Sequence, residues 1–252
     1  MKKLIKESGL KGINALAKRY SKAKIYFHQD LDGVATAVAM KQYLNNNGIQ
    51  VVDSEIIQYG DKEFAIKKSD AFGEIMPVLV DFAHGKPMFI IHTDHHDRQA
   101  GAESTDSTSF KSARSNAETI SQIVSPKDLF TNEDIFLIST IDSANYATNE
   151  ISVDTVINYL FKLDKEKDLQ KNKIAMGLVA NKLLLAFKNK PGFLEELVMK
   201  STPSLMNILQ NIKKIMIDKG YVNVEQLQKN KEEYVNQMKS HSNVKVTDNI
   251  IV

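Results

Sequence analysis

Short β-prone runs alternate with helical patterns through the first half of the chain, and this alternation constrains the fold more than any other feature. The runs lie at 24–27, 51–57, 76–80, 88–92 and 135–141. Apolar residues recur at helical spacing between several of them, for example over 34–44 and 115–123. Strands that alternate with helices predict a parallel sheet with flanking helices. The expected fold class is therefore α/β.

The second half of the chain has a different texture. From about residue 151 it is rich in Leu, Ile, Met, Lys and Asn at helical spacing, with a break at 191–192 and a stop at 218–220. We therefore expect a mainly helical C-terminal region. The predicted division is an α/β domain with the functional site over 1–150, a helical region over 151–240 that completes or links it, and a tail over 241–252. The β-prone end of this tail could begin a second domain.

Composition narrows the possible chemistry. The chain contains no cysteine, which excludes disulfides, thiolate metal sites and a cysteine nucleophile. It has neither an apolar N-terminal signal nor a run of apolar residues long enough to cross a membrane, so the default expectation is a cytoplasmic protein with no membrane partner. The net charge of +2 is too small to indicate nucleic acid by itself. Acidic residues outnumber basic ones over 1–150, and the reverse holds for the remainder.

Metal-binding side chains follow the predicted strands. In parallel sheets, ligands collect outside the carboxyl ends of the strands. Four of these ends carry candidates, and the set is His28, Asp30 and Asp32, then Asp81, then Asp94, His95 and His96, then Asp142. A lone aspartate at such a place is usually a turn or helix cap. Two adjacent histidines between aspartates are harder to explain structurally, because burying them would demand many polar partners.

Other polar residues near these positions are candidates of a second kind. His92 lies within an apolar run and is predicted to be either a strand residue or a residue that supports the site, and His84 is predicted to lie in a loop. The serine-rich segment with Ser112, Arg114 and Asn116 leads into a predicted helix, whose N-terminus could contact a phosphate. An ordinary capped helix with a solvated arginine explains the same pattern. Arg98, next to the double histidine, is a similar candidate for substrate binding.

Taken in order and spacing, these residues resemble the four motifs of the DHH phosphoesterase superfamily. The motifs as they stand here are His28-x-Asp30-x-Asp32-Gly33, Asp81, Asp94-His95-His96 and Asp142, and the resemblance covers about 24–145. It implies a parallel-sheet αβα sandwich. It also implies that His28, Asp30 and Asp81 hold one metal ion, and that Asp32, Asp81, His95 and Asp142 hold a second, with Asp81 bridging. Catalytic roles fall to Asp81, His96 and Asp94: His96 would face the substrate phosphate, and Asp94 would orient a ligand imidazole.

The implied chemistry is hydrolysis of phosphodiester bonds. Carboxylates with some imidazole and no thiolate suit two Mn²⁺ ions, with Mg²⁺ as the weaker alternative. One residue separates His28 from Asp30, which resembles the RecJ-like and archaeal exonuclease branch. That branch implies single-stranded nucleic acid or short oligonucleotides as partners. The alternatives are a cyclic mono- or dinucleotide phosphodiesterase, a non-catalytic replication scaffold with the same fold, and a metalloenzyme of unrelated chemistry.

The resemblance does not extend past about residue 145. Many relatives that degrade nucleic acid carry a second domain with a glycine-rich segment ending in histidine, and no such segment occurs here. Either that domain begins near Val244, or the helical half binds the substrate in another way. The sequence makes no prediction of the oligomeric state.

Overall fold

A five-stranded parallel sheet lies in the N-terminal half of the chain. The computed structural model describes residues 13–58, 73–83, 90–96, 108–110, 113–122, 124, 129–143, 173–223, 225, 246–247 and 250–251. The strands are β1 (Lys22–His28), β2 (Gln50–Ile57), β3 (Ile75–Val80), β4 (Ile91–Asp94) and β5 (Thr108–Phe110). Their order is β2-β1-β3-β4-β5, and every neighbouring pair is parallel. The α/β class with a parallel sheet is thus confirmed.

The central strands are buried along most of their length. Five of the six residues of β3 are buried, and Ile25 and Phe27 of β1 are fully enclosed. A central parallel strand has both faces covered, so its sequence reads as a nearly continuous apolar run rather than as an alternation. β4 begins at Ile91, three residues later than the predicted run, and ends with Asp94. The carboxyl ends of β1, β3 and β4 lie at one edge of the sheet.

Helix α1 (Leu31–Asn46) follows β1 and packs against β1 and β2. Asp30 is its N-cap, and the Asp30 side chain accepts a hydrogen bond from the Gly33 backbone N–H at 2.9 Å. The helix ends at Asn46, and Gly48 follows two residues later with φ of +83°, a conformation that only glycine adopts without cost. These two ends confirm the predicted helix and extend it beyond 34–44.

Two shorter helices follow the sheet: α2 (Asn116–Ile120) and α3 (Asn132–Ser143). The helix α3 shows that the prediction of a strand over 135–141 was wrong. Thr131 Oγ1 accepts a hydrogen bond from the Asp134 N–H at 3.1 Å, and Glu133 and Asp134 occupy the first turn. These are helix-start signals, and they outweigh a short apolar run, whose periodicity alone cannot separate a strand from a buried helix.

The C-terminal region contains α4 (Lys173–Phe187), α5 (Phe193–Lys200) and α6 (Leu205–Asp218). Helices therefore occur where they were predicted over 173–218, with the break before Phe193. Lys41 of α1 attaches α5 to the α/β part. Its Nζ donates to the carbonyls of Val198, Met199 and Ser201 at 2.8, 2.7 and 2.7 Å, at the end of α5. A cation at a helix C-terminus also interacts favourably with the helix dipole.

The chain divides into two compact units, Met1–Ile212 and Lys213–Val252. In the second unit, β6 (Val246–Thr247) and β7 (Ile250–Ile251) form a short antiparallel pair, in keeping with the β-prone tail. The boundaries predicted at 150 and 240 lie outside the described residues and stay predictions. In the part of the chain that the structure describes, every helix is too short or too polar to span a bilayer.

Candidate metal centre

A tight turn after β1 presents the first three candidate ligands. His28 is the last residue of β1, Asp30 caps α1, and Asp32 lies in the first turn of the helix. A Cβ on Gly33 would overlap the backbone carbonyl oxygen of His28, so only glycine permits this turn. Because the helix starts at Leu31, convergence of the ligands arises from the turn and not from an extended segment. His28 Nδ1 and Asp30 Oδ2 are 2.8 Å apart.

Asp81 stands between two groups of ligands. It follows β3 and is 1% exposed. Its φ is +54°, and no other non-glycine residue among those described has a positive φ. Left-handed conformations are uncommon for side-chain-bearing residues and collect at functional sites. Asp81 Oδ2 lies 3.9 Å from His28 Nδ1, whereas Oδ1 lies 3.3 Å from His95 Nε2. The two oxygens of one carboxylate therefore face different histidines.

His95 completes the second group. Its Nε2 lies 3.5 Å from Asp32 Oδ2 and 3.3 Å from Asp142 Oδ2, in addition to its contact with Asp81. Its Nδ1 lies 3.2 Å from the Ala113 carbonyl oxygen, an acceptor to which only an N–H can bond. In the neutral imidazole this assignment leaves a lone pair on Nε2, directed at three carboxylates. The carboxyl groups of Asp32, Asp81 and Asp142 and this lone pair therefore converge on one place, where a cation can replace protons.

Asp142 reaches this group from a helix and not from a strand end. It lies in the last turn of α3, and its side chain is 19% exposed. Although the predicted strand is a helix, Asp142 still lies beside His95, because α3 ends beside the carboxyl edge of the sheet. Three sets of residues bring potential ligand atoms within 4.8 Å of one another: His28, Asp30 and Asp81; Asp32, His95 and Asp142; and Asp81, His95 and His96.

Burial and crowding of negative charge perturb these carboxyl groups. Burial, followed by the charge of Asp30, raises the pKa of Asp32 to about 7. Burial and the charges of Asp32 and Asp30 raise the pKa of Asp142 to about 8. The same causes place the pKa of Asp81 well above its ordinary value. Burial also opposes ionisation of Asp30, but hydrogen bonding and attraction to His28 leave the pKa of Asp30 lowered.

Such a cluster fits divalent cations better than protons. Asp81 Oδ1 is buried without a hydrogen-bond donor among the described residues. Leaving a buried carboxylate oxygen without a donor is costly, and a cation removes that cost. The donors are oxygens and imidazole nitrogens, which suit Mn²⁺ and, with fewer nitrogens, Mg²⁺. The residues present could therefore hold one ion in each of the two groups, with Asp81 contributing to both.

Asp94 and His96 form a pair beside these groups. Asp94 is fully buried, and its Oδ1 accepts from His96 Nδ1 at 2.6 Å and from the His95 backbone N–H at 2.9 Å. The hydrogen bond from Asp94 raises the pKa of His96. Asp94 was predicted to orient a ligand imidazole, and here it holds the ring of His96. The His96 side chain is 32% exposed, so a substrate could reach it.

The remaining candidates, which were predicted to contact the substrate or to support the site, differ in their surroundings. Arg114 bonds through Nε to Glu118 Oε1 at 3.0 Å, and its guanidinium lies over the Phe136 ring. Asn116 is fully buried, and its side chain donates to Thr93 Oγ1 at 3.1 Å. His92 lies in β4, as predicted, with its Nε2 2.9 Å from the Phe82 carbonyl oxygen. Arg98, Ser112 and His84 lie outside the described residues.

Two residues of α4 support the site without any signal in the sequence. Asn181 Oδ1 accepts from the Leu31 N–H at 3.1 Å, at the start of α1 between Asp30 and Asp32. Gly177 lets α4 approach α3 so closely that a Cβ there would overlap the side chain of Ile141. Both residues act on partners that are 36 or more positions away in the chain, and a single asparagine or glycine in a helical pattern does not indicate such a contact.

Comparisons of the chain with protein-family models, with curated proteins and with solved structures found no match. The geometry of the site and the motifs of the sequence therefore carry the functional argument.

Proposed function

We propose that this chain is a Mn²⁺-dependent phosphodiesterase of the DHH type, with an αβα fold, acting on single-stranded nucleic acid or short oligonucleotides. The observation that carries the proposal is the position of Asp81, whose two carboxylate oxygens face His28 and His95 separately. A carboxylate shared by two ligand groups suits a centre that holds two neighbouring ions. The order and spacing of the four motifs supply the choice of phosphoester chemistry.

The residues of the chain would divide the work as follows. His28 and Asp30 would hold one ion, Asp32, His95 and Asp142 would hold the other, and Asp81 would join both. Two bound ions would supply an activated water and would neutralise charge on the attacking and leaving oxygens. His96, with its proton stabilised by Asp94, would contact the phosphate or donate a proton to the leaving oxygen. Ala113 and Asp94 would keep the two histidine rings in fixed orientations.

Nucleic acid is the substrate class that the sequence favours. The motif spacing around His28 and Asp30 resembles the exonuclease branch, and the basic excess of the helical half suits a polyanion. A solvated lysine surface explains that excess as well, so the motif spacing is the main support.

The proposal is tested by hydrolysis in Mn²⁺ of end-labelled single-stranded DNA, single-stranded RNA, dinucleotides, cyclic dinucleotides and pyrophosphate. The blank is Asp81→Asn, because asparagine tolerates the left-handed backbone of Asp81 and removes the charge. Asp53→Asn is the matched control, since Asp53 is half exposed and pairs with Lys24 on the sheet. We expect the wild type and Asp53→Asn to shorten the single strands and Asp81→Asn to be inactive.

Other outcomes would redirect the assignment. Cleavage confined to cyclic dinucleotides would indicate a signalling phosphodiesterase. Mn²⁺ binding without cleavage of any phosphoester would indicate a metalloenzyme of another class. A wild type that neither binds Mn²⁺ nor cleaves would contradict the proposal and favour a scaffold.

A further inference from the structure

The segment 113–117 leads into α2 and touches the residues around His95 at several points. We propose that this segment positions the Asp32, His95 and Asp142 group, and that Asn116 is a positioning residue that selectively sets the affinity of this group for a divalent ion. The inference rests on the two-ion centre proposed above. It adds that Asn116 supports only one of the two ligand groups.

Backbone groups of the segment bind two of the three ligands directly. The Ala113 carbonyl accepts from His95 Nδ1 at 3.2 Å, which sets the tautomer that leaves Nε2 available. The Asn116 and Ala117 N–H groups donate to Asp32 Oδ2 and Oδ1 at 2.5 and 3.0 Å. One short stretch of backbone therefore fixes both the ring of His95 and the carboxylate plane of Asp32.

Side chains of the segment attach it to the elements that carry the remaining groups. Asn116 Nδ2 donates to Thr93 Oγ1 at 3.1 Å, which links α2 to β4 just before Asp94 and His95. The Ser115 and Ser139 hydroxyls are 2.6 Å apart, and Ser139 precedes Asp142 by about one turn of α3. Ser115, Asn116 and Ser139 are fully buried, so these contacts are shielded from water.

The other ligand group is held by different contacts. Asp30 accepts from the Gly33 N–H at 2.9 Å, and it faces His28 Nδ1 at 2.8 Å, all within the turn after β1. Asp81 is held by its N–H, which donates to the Thr93 backbone carbonyl at 2.9 Å. That bond joins two backbone groups just past the end of β3 and does not involve the Thr93 side chain. A change in the Asn116 side chain should therefore reach the His95 group and spare the His28 group.

The magnitude follows from the general behaviour of residues that support metal ligands. Replacing such a partner costs about 10- to 100-fold in metal affinity. Asn116→Ala removes the bond to Thr93 and leaves the backbone N–H that Asp32 accepts. We expect one Mn²⁺ to bind as in the wild type and the second to bind about 10- to 100-fold more weakly.

The experiment is a Mn²⁺ titration of the full chain, with free Mn²⁺ read from its paramagnetic resonance signal. Asn211→Ala is the matched control, because the Asn211 side-chain amide also bonds to buried or half-buried partners, Asn207 and Ser201, in the C-terminal helices. A merely structural loss in Asn116→Ala would lower the melting temperature, as the control does, without separating the two affinities. His28→Ala is made alone and with Asn116→Ala to identify the ion affected.

We expect Asn116→Ala to bind one of the two ions more weakly and Asn211→Ala to bind both ions as the wild type does. In the double variant, the ion that His28→Ala still binds should be bound more weakly than in His28→Ala alone. If Asn116→Ala does not fold, Ser115→Ala tests the same segment through its link to Ser139. Equal weakening of both ions, or of neither, overturns the inference while leaving the two-ion centre intact. A wild type that binds no Mn²⁺ instead overturns the proposed function itself.

Discussion

Raising the pH should destabilise the metal-free protein, and Mn²⁺ should reverse the loss. The pKa values of Asp32 and Asp142 are raised from 3.8 to about 7 and about 8. At pH values between 3.8 and these raised pKa values, the two carboxyl groups keep their protons in the folded chain and have released them in the unfolded chain. A group with a raised folded pKa contributes stability at low pH and loses it as the pH rises through that pKa. The free energy of unfolding should therefore fall from about pH 5 to about pH 7.

The size of this loss can be worked from the two carboxyl groups. Each retained proton lowers the free energy of unfolding by about 1.4 kcal/mol per pH unit. One group that stays protonated across this window contributes about 3 kcal/mol, and both together contribute up to about 5 kcal/mol. For a chain of this size, a loss of about 5 kcal/mol corresponds to roughly 10 to 20 °C in melting temperature. The raised pKa values of Asp81 and His96 act in the same direction, whereas the lowered pKa of Asp30 acts only below about pH 4.

The assay is thermal unfolding by circular dichroism across this pH range, in chelator and in saturating Mn²⁺. Because metal binding displaces the retained protons, the increase in melting temperature caused by Mn²⁺ should grow with pH. Asp142→Asn should reduce the slope by about one proton in the absence of metal. A melting temperature of the metal-free protein that rises or stays constant from pH 5 to 7 would refute the reasoning about the carboxyl cluster.

Three further predictions concern single side chains. His96→Gln should lower kcat by about 10²- to 10⁴-fold while the Mn²⁺ titration stays unchanged, and a parallel loss of metal would mean that His96 is a ligand. Gly33→Ala should abolish Mn²⁺ binding, because the new Cβ overlaps a backbone oxygen. Gly48→Ala meets no neighbour within 4 Å and should cost only about 1 to 2 kcal/mol for its left-handed backbone. Lys41→Met should leave three helix-end carbonyls without a donor and lower stability by roughly 2 to 4 kcal/mol, measured by urea unfolding. An unchanged unfolding midpoint would contradict this account of Lys41.

The parallel sheet and the membership of the site were within reach of the sequence, because both depend on local patterns. Apolar runs that end in polar residues mark the strands β1, β3 and β4. Asp30 and Gly33 carry the cap and the tight turn that aim the first ligands. The acid and histidine residues could be grouped because the carboxyl ends of parallel strands share one edge.

The secondary structure around Asp142 could not be read in the same way. The run 135–141 fits the pattern of a buried strand and also that of a buried helix. Capping by Thr131 and packing against α2 and α4 favour the helix. Asp142 reaches His95 only because α3 ends beside the sheet. Sequence reasoning thus identified the residue and misplaced the element that carries it.

The sequence by itself determined which side chains could meet, since strand ends, turns and caps are set by residues near one another in the chain. Only the tertiary structure decided how they meet. It places the two oxygens of Asp81 toward different histidines, turns His95 by a bond to Ala113, and supports Asp32 through Asn116. These contacts join residues that are 14 to 84 positions apart. Their geometry depends on the packing of whole elements, which no local pattern encodes.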